Sequence, residues 1–472
     1  MKPVYETPLS SRYASKYMLH LFSPDVRYET WRKLWVSLAR AEHRLGLPIT
    51  QAQVDELEAN IRPIDYETVE AKERQIRHDV MAHIYAFGEA APGAKGILHL
   101  GATSCYVTDN ADLILYRDAL RYLRTQLGQV MLNLCDFAQK YAALPCLGYT
   151  HFQPAQLVTV GKRACLWLQD LMLDLEELDD VCGAIRFLGC RGTTGTEASF
   201  LSLFDGDTDK IDRMNQMIAE DFGFDRLYDV CGQTYPRKLD SRILNVLSSI
   251  AQSCYRFADD LRLLQHDRQL EEPFEEKQVG SSAMAYKRNP MRCERICSLA
   301  RYIMADAMNA PMTASAQWLE RTLDDSANRR ISIPEAFLAA DGVLRLMQNV
   351  TKGLRVNEKI VERYVQEYLP FIATENLLML AVRNGADRQL VHESIRQASM
   401  KATERMKNGE NGNLVEMLAE EPAFGLSADE IRAELRPALY TGRSAEQAIA
   451  FAEKCRALCA GAECAENDEL TL

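Results

Sequence analysis

The chain has 472 residues, of which 47% are hydrophobic and 26% charged, and its formal net charge is -12. This length favours about three domains, and no run of about 18 apolar residues is available to cross a bilayer. The negative charge opposes non-specific binding to nucleic acid, because neutralising phosphates needs a basic surface. We therefore expect a soluble globular protein without membrane or nucleic-acid partners, whose anionic ligands meet locally placed Arg, Lys and His.

The N-terminal segment and the cysteines both favour the cytoplasm. Residues 1–10 have neither the apolar core of a secretory signal nor the arginines of a transit peptide. The 13 cysteines are scattered and form no Cys-x-x-Cys, so we interpret them as reduced, mostly buried thiols. His78 and His83 are five positions apart, outside any His-Glu-x-x-His motif. We expect no metal site.

Three long amphipathic helices are predicted in the middle of the chain. Apolar residues alternate three and four positions apart from Leu113 to Tyr141, nearly so from Leu157 to Cys182, and again from Ile243 to Leu264. Helices of about 25 to 30 residues are about 40 Å long, which exceeds what the core of one compact domain needs. We therefore expect a bundle, part of whose apolar surface packs against other subunits.

Loops and a smaller C-terminal part complete the predicted architecture. Segments rich in glycine, proline and polar residues separate the helices, and functional residues are expected there. These segments are 93–108, 145–154, 189–199 and 271–290. The region after Asn376 mixes helical segments with polar breaks and ends in an acidic tail. We predict an all-α fold with three helical domains: residues 1–111, a central long-helix bundle at 112–364, and residues 365–472.

The segment from Gly280 to Pro290 contains the densest group of functional residue types. It runs Gly-Ser-Ser-Ala-Met-Ala-Tyr-Lys-Arg-Asn-Pro, ahead of a predicted helix. From the residues alone it is either a mobile loop that closes over a ligand carboxylate or a solvated basic loop. It resembles the signature loop of the fumarase/aspartase superfamily, Gly-Ser-Ser-x-Met-Pro-x-Lys-x-Asn-Pro. Ala285 replaces the family proline, which disfavours the closed loop by about 1 kcal/mol or less.

Two further motifs narrow the resemblance. Residues 150–156 (Thr-His-Phe-Gln-Pro-Ala-Gln) and 77–83 (Arg-His-Asp-Val-Met-Ala-His) resemble the animal-type adenylosuccinate lyase family rather than argininosuccinate lyase, fumarase or aspartase. The similarity extends from Ser11 to Phe371 and weakens only in the C-terminal region. It implies β-elimination of fumarate from a purine nucleotide substrate, with no cofactor, in a homotetramer whose active sites are shared between subunits.

The chemistry of this reaction requires an acid and a base. Cleaving a C–N bond β to a carboxylate means removing a weakly acidic C–H proton and protonating the departing nitrogen. A histidine suits the acid at neutral pH, but from the residues alone His151 is as well explained as a cap or a core residue. The resemblance makes His151 the general acid and Ser281 the base, helped by Lys287. Without it we would choose His78 as the base; with it, His78 binds phosphate or orients the acid.

A ligand with two carboxylates and a phosphate needs several arginine and hydroxyl donors. The resemblance assigns one group to the phosphate and base: Arg12, Tyr13, Arg77, His78 and Asp79. It assigns a second group to the succinyl carboxylates: Thr103, Ser104, Thr150, Gln233 and Asn289. It assigns further substrate contacts to a third group: Arg295, Arg321, Ser326 and Arg330. Without the resemblance, each exposed arginine would more often be a solvated charge.

Two alternatives stay open at this point. An argininosuccinate lyase-like enzyme would need a pocket for a guanidinium group and no phosphate clamp. A non-catalytic protein could reuse the same scaffold, as lens crystallins of this superfamily do. The presence of both Ser281 and His151 argues against the second alternative.

Overall fold

The structure, a computed structural model, describes residues 4–275, 283–284 and 286–461. Ser281 and Ala285 of the predicted loop lie outside the described residues. Regular structure in the described part is almost entirely helical, which confirms the predicted all-α fold. The helices that precede residue 104 are α1 (Lys16–Leu21), α2 (Pro24–Arg44), α3 (Gln51–Ala59), α4 (Tyr66–Ile76) and α5 (Asp79–Ala90).

The middle of the chain contains the longest helices, and short strands connect some of them. The helices are α6 (Ser104–Lys140), α7 (Val160–Ala184), α8 (Ala198–Leu203), α9 (Thr208–Asp221), α10 (Lys238–His266), α11 (Met291–Asp306), α12 (Asn309–Ser315) and α13 (Asp325–Gly353). The strands are β1 (Pro145–Thr150), β2 (Gln153–Thr159), β3 (Leu270–Glu271) and β4 (Arg355–Val356).

The three predicted long helices are present as α6, α7 and α10. Nearly all of their predicted apolar positions are buried, with Leu120, Leu178 and Ile243 among the least exposed side chains, and Cys182 is partly buried. Helix α6 packs against α7 and α13, and α10 packs against α7, α11 and α13. These helices therefore form the predicted central bundle around one continuous apolar core. Within the described residues, none of the helices combines the length and apolar character needed to cross a membrane.

The C-terminal part contains a second apolar core. Its helices are α14 (Glu358–Ile372), α15 (Thr374–Arg383), α16 (Arg388–Lys407), α17 (Leu414–Glu420), α18 (Ala428–Glu434) and α19 (Ser444–Leu458). Leu377, Phe424 and Ile431 belong to this second core. Helix α19 instead returns to the central bundle and packs against α6 and α7. Helix α6 is continuous across position 111, and the division into three domains stays a prediction.

Residues 145–154, which we expected to form a loop, instead belong to a β-hairpin. Strands β1 and β2 pair antiparallel, with Leu147 opposite Leu157. Both leucines are buried against helix α14. Leu157 fits the helical spacing of the residues after it but belongs to β2, because cross-strand pairing and packing on α14 bury it. The prediction that the helical pattern starts at Leu157 is therefore wrong, and α7 begins at Val160.

Candidate active site

A cavity of about 470 Å³ lies where α4, α5, α6 and α13 meet the segment that precedes α10. Its lining brings together residues from five separate parts of the chain, including α2, which is expected of a ligand site built on a helical bundle. Eight residues of the predicted site line this cavity: Arg77, His78, Asp79, Ser104, Gln233, Arg321, Ser326 and Arg330.

His78 is held at the rim of the cavity by its role as the N-cap of α5. Its Nδ1 accepts a hydrogen bond from the backbone N–H of Met81 at 3.3 Å. Because Nδ1 is an acceptor, the neutral ring carries its proton on Nε2, which lies 3.5 Å from the hydroxyl oxygen of Ser104. The preceding residue, Arg77, ends α4 in a left-handed conformation with φ 58°, which turns the chain sharply into α5.

Asp79 connects this helix start to α13. Its Oδ1 accepts a hydrogen bond from the backbone N–H of Val80 at 2.8 Å, which is favourable at a helix N-terminus. Its Oδ2 lies 3.1 Å from Nη2 of Arg330. The ion pair places a helix α13 guanidinium beside the imidazole of His78, on the side of the cavity where Arg77 also lies.

The floor of the cavity is a buried network of ionised side chains. Arg237 donates from Nε to Asp325 at 2.6 Å and from Nη1 to Asp109 at 2.8 Å. Arg329 donates from Nε to Asp240 at 2.6 Å. Such charges are retained inside a protein only when they are paired and hydrogen-bonded. The floor is therefore polar and already largely satisfied by protein groups.

None of the sequence motifs predicted this network. Asp109 and Asp112 lie three positions apart on α6, and Asp112 precedes Tyr116 of the predicted buried stripe by four. Two carboxylates on the buried face of an amphipathic helix indicate charges that are either paired or functional. This pattern could have predicted the network. The lining also includes Arg27 and Thr108, which the motifs did not single out.

Burial changes the titration of several lining groups. Burial raises the pKa of Asp112, and the nearby guanidinium of Arg329 opposes this shift. Burial likewise raises the pKa of the Cys105 thiol, to about 12, and its Sγ donates to the side-chain oxygen of Gln233 at 3.4 Å. Cys105 is therefore a neutral hydrogen-bond donor and not a nucleophile. In the described part of the chain, no three His, Cys, Asp or Glu side chains converge as metal ligands would.

Other residues of the predicted site do not line this cavity. His151 lies with Phe152 at the exposed turn between β1 and β2, where both residues have positive φ. Lys287 is also exposed, and Thr103 is the N-cap of α6, directly before Ser104. The predicted site residues outside the cavity lining are Arg12, Tyr13, Thr103, Thr150, His151, Lys287, Asn289 and Arg295. Ser281 lies outside the described residues.

Comparison with known proteins shows two matching family models. The model described as "Lyase" matches residues 28–305. The model described as "Adenylosuccinate lyase C-terminus" matches residues 370–451, which contain the second apolar core. Together the two matches cover the long helices α6, α7 and α10 and the C-terminal helices α15 to α18.

Individual relatives extend this similarity along the chain. The adenylosuccinate lyase of Saccharomyces cerevisiae is 50% identical over 95% of this chain and 94% of its own length. That of Schizosaccharomyces pombe is 49% identical with the same coverage. The fold is shared with a 3-carboxy-cis,cis-muconate lactonizing enzyme from Pseudomonas putida, at a TM-score of 0.83 and 23% identity, covering 96% of this chain and 99% of that one. By its matching family models and near full-length relatives, the chain belongs to the adenylosuccinate lyase family of the fumarase/aspartase superfamily.

Proposed function

We propose that the protein is an adenylosuccinate lyase acting in cytoplasmic purine nucleotide synthesis. It eliminates fumarate from adenylosuccinate to give AMP, and from succinylaminoimidazole-carboxamide ribotide to give the carboxamide ribotide. The observation that carries this proposal is the identity of 49% and 50% to two enzymes of that name over 95% of the chain. The cavity adds independent support, because it presents several arginine side chains to an anionic ligand.

The cavity supplies the binding groups in this proposal. Arg77 and Arg330 lie on the side of the cavity that holds His78, and their guanidinium groups suit the nucleotide phosphate. Ser104 and Gln233 also line the cavity and have the hydroxyl and amide donors that a succinyl carboxylate needs. The Nε2–H of His78 faces the hydroxyl group of Ser104. This position suits an orienting role better than that of the base.

The proton transfers need residues that this cavity does not contain. In the proposed mechanism Ser281 removes the β-proton of the succinyl group, with Lys287 stabilising its alkoxide. Negative charge then develops on the adjacent carboxylate, where preorganised donors such as Asn289 lower the barrier. His151 protonates the departing 6-amino nitrogen. The exposed position of His151 at the hairpin turn suits a group that is presented to a neighbouring molecule.

A homotetramer with shared sites accounts for the separation of these groups. The cavity of one chain lacks His151, Lys287 and Arg295, so further copies of the chain supply them. The long helices also carry apolar side chains that are unusually exposed in one chain, including Leu166 at 45% and Leu173 at 51% on α7. Exposed apolar side chains seven positions apart, and so on one face of the helix, favour association.

A substrate panel tests the proposed reaction. The purified chain is incubated separately with adenylosuccinate, with the imidazole ribotide and with argininosuccinate, and fumarate is followed by its absorbance. We expect fumarate from the first two substrates, and none after Ser281→Ala. Fumarate from argininosuccinate alone would establish the alternative enzyme, and no fumarate from any substrate would establish a non-catalytic scaffold.

A histidine series tests the assigned acid in the same assay. His151→Ala should lower kcat by about 100-fold or more, as loss of a general acid does. The matched control is His392→Ala, because His392 is exposed on α16 and lies outside the cavity. Equal activity of the two alanine variants would remove His151 from the mechanism.

A further inference from the structure

The two arginines in the cavity floor, Arg237 and Arg329, connect the same three parts of the chain. These parts are α6, the segment 233–240 and the first two turns of α13. Each part also carries predicted substrate-binding residues, namely Ser104 on α6, Gln233 in the segment, and Ser326 and Arg330 on α13. The network therefore lies directly beneath the binding groups.

Arg237 uses two edges of its guanidinium for two carboxylates. Nη1 and Nη2 donate to the two oxygens of Asp109 at 2.8 and 3.3 Å, while Nε donates to Asp325 at 2.6 Å. Asp109 also accepts the backbone N–H of Tyr235 at 3.2 Å. Asp325 also pairs with Arg321, at 3.5 Å. One side chain thus fixes α6, segment 233–240 and the start of α13 in a single geometry, which a planar fork can do and an ammonium cannot.

Arg329 lies one turn after Asp325 on α13 and also contacts two carboxylates. Its Nε donates to Asp240 at 2.6 Å, its Nη2 lies 3.3 Å from Asp112, and Nη2 also donates to the hydroxyl of Tyr235. The same hydroxyl donates to Asp240 at 2.6 Å. Tyr235 and Asp240 do not line the cavity. They therefore act on the cavity only through the residues they hold.

The backbone adds a direct link between two of these parts. The N–H of Gln233 donates to the carbonyl oxygen of Glu320 at 3.1 Å, immediately before Arg321. Segment 320–330 otherwise has little apolar anchoring, since Leu323 is 73% exposed. The paired charges therefore hold this segment in place, together with hydrogen bonds of Asn328 to Asn309 and Thr313. Buried ion pairs add little stability compared with apolar side chains, so geometry is the stronger reason for this network.

We propose that Arg237 and Arg329 are positioning residues for the elimination reaction. Their paired aspartates lock the start of α13 and segment 233–240 onto α6, so that Ser104, Gln233, Arg321 and Arg330 face one ligand. This inference rests on the proposed function. It goes beyond that function because it assigns the orientation of the binding groups to the network of paired charges. Tyr235 is the clearest example, since it belongs to the network but does not line the cavity.

The decisive variant is Tyr235→Phe, which removes one hydroxyl from a fully buried ring. Its matched control is Tyr106→Phe, because the Tyr106 hydroxyl is also buried and donates to the carbonyl of Leu34 at 2.7 Å, outside the cavity lining. We expect similar losses of melting temperature in the two variants. Only Tyr235→Phe should raise KM, by about tenfold, because small displacements of positioned groups are costly.

Arg237→Lys and Arg32→Lys form a second matched pair. Arg32 is equally buried and holds backbone carbonyls of residues 60, 61 and 63, away from the cavity. Arg237→Lys should raise KM and speed amide hydrogen exchange in residues 321–330, whereas Arg32→Lys should do neither. The exchange measurement needs no substrate, so it gives an answer even if the proposed reaction is wrong.

The outcomes separate the two proposals. A wild-type chain that releases no fumarate would contradict the proposed function. An active wild type in which Tyr235→Phe and Arg237→Lys keep the wild-type KM and the wild-type exchange of residues 321–330 would overturn the positioning role. Raised KM together with faster exchange, confined to the network variants, would support it.

Discussion

Asp79 and Arg330 form an ion pair of 3.1 Å across 251 positions of sequence. The pair joins the first turn of α5 to α13 and forms part of the cavity wall. Both side chains are partly exposed, so the pair contributes little to the free energy of unfolding. Its consequence is geometric, because it determines where the Arg330 guanidinium points in the absence of ligand.

Breaking this pair should affect substrate binding more than stability. Asp79→Asn keeps the shape of the side chain but removes its charge, so Arg330 loses its fixed orientation. We expect KM to rise by about tenfold with the melting temperature nearly unchanged. Asp136→Asn is the control, since it breaks an exposed pair with Arg456 at 2.6 Å between α6 and α19. An unchanged KM in Asp79→Asn would show that Arg330 needs no partner.

Substitutions of His78 can separate its capping role from its role in the cavity. Asparagine is a good N-cap, so His78→Asn should keep the hydrogen bond from Met81 and the stability of α5. It lacks the Nε2–H that faces Ser104, and turnover should therefore fall. His78→Ala should lose both properties, with an added cost of about 1 kcal/mol in unfolding free energy. Thermal melts and fumarate assays on both variants provide the comparison, and full activity of His78→Asn would exclude the imidazole from the site.

Glu42 should make the stability depend on pH. It is fully buried on α2, neither carboxyl oxygen has a hydrogen-bond partner, and burial raises its pKa to about 9. The folded state therefore binds this proton more tightly than the unfolded state, and stability falls as pH rises from 4.5 toward 9. Glu42→Gln removes the titration and should increase the unfolding free energy by about 3 kcal/mol at pH 7.

Denaturant melts from pH 5 to pH 8 measure this effect. The advantage of Glu42→Gln should grow with pH, from about 1 kcal/mol or less at pH 5. The exposed Glu453 of α19 provides the control, because Glu453→Gln removes a carboxylate that water already solvates. Parallel pH profiles for wild type and Glu42→Gln would show that Glu42 is ionised in the folded protein.

Mixed oligomers test whether sites are shared. Ser281→Ala and His151→Ala should each be inactive. When the two are unfolded together and reassembled, hybrid oligomers contain some sites with both intact residues, and fumarate release should return. Each variant refolded alone is the control. If the mixture stays inactive while the reassembled wild type is active, Ser281 and His151 act within the same chain.

The helical part of the fold could be predicted because its pattern is long and regular. The apolar stripe from Leu113 to Tyr141 spans several turns, and α6 buries these residues as expected. The hairpin at residues 145–159 was missed because each strand is short and Leu157 satisfies both periodicities. A short strand has too few residues to establish a period of two.

The cavity was only partly predictable. Motifs identified Arg77, Ser104 and Arg330, and the structure places them around one cavity, although Arg77 and Arg330 are remote in sequence. The ionic floor could not be predicted, because the partners of Arg237 lie 88 and 128 positions away. Pairing at such separations depends on how α6 and α13 pack, which no local pattern encodes. In the proposed homotetramer, His151 reaches this cavity from a neighbouring chain.

The return of α19 to the central bundle has a consequence for synthesis on the ribosome. This helix packs on α6 and α7, whose residues emerge some 300 positions earlier. The groove between α6 and α7 therefore stays uncovered until α19 has left the exit tunnel. During this interval the apolar surface of the incomplete bundle is exposed to water, and chains in this state are prone to aggregate.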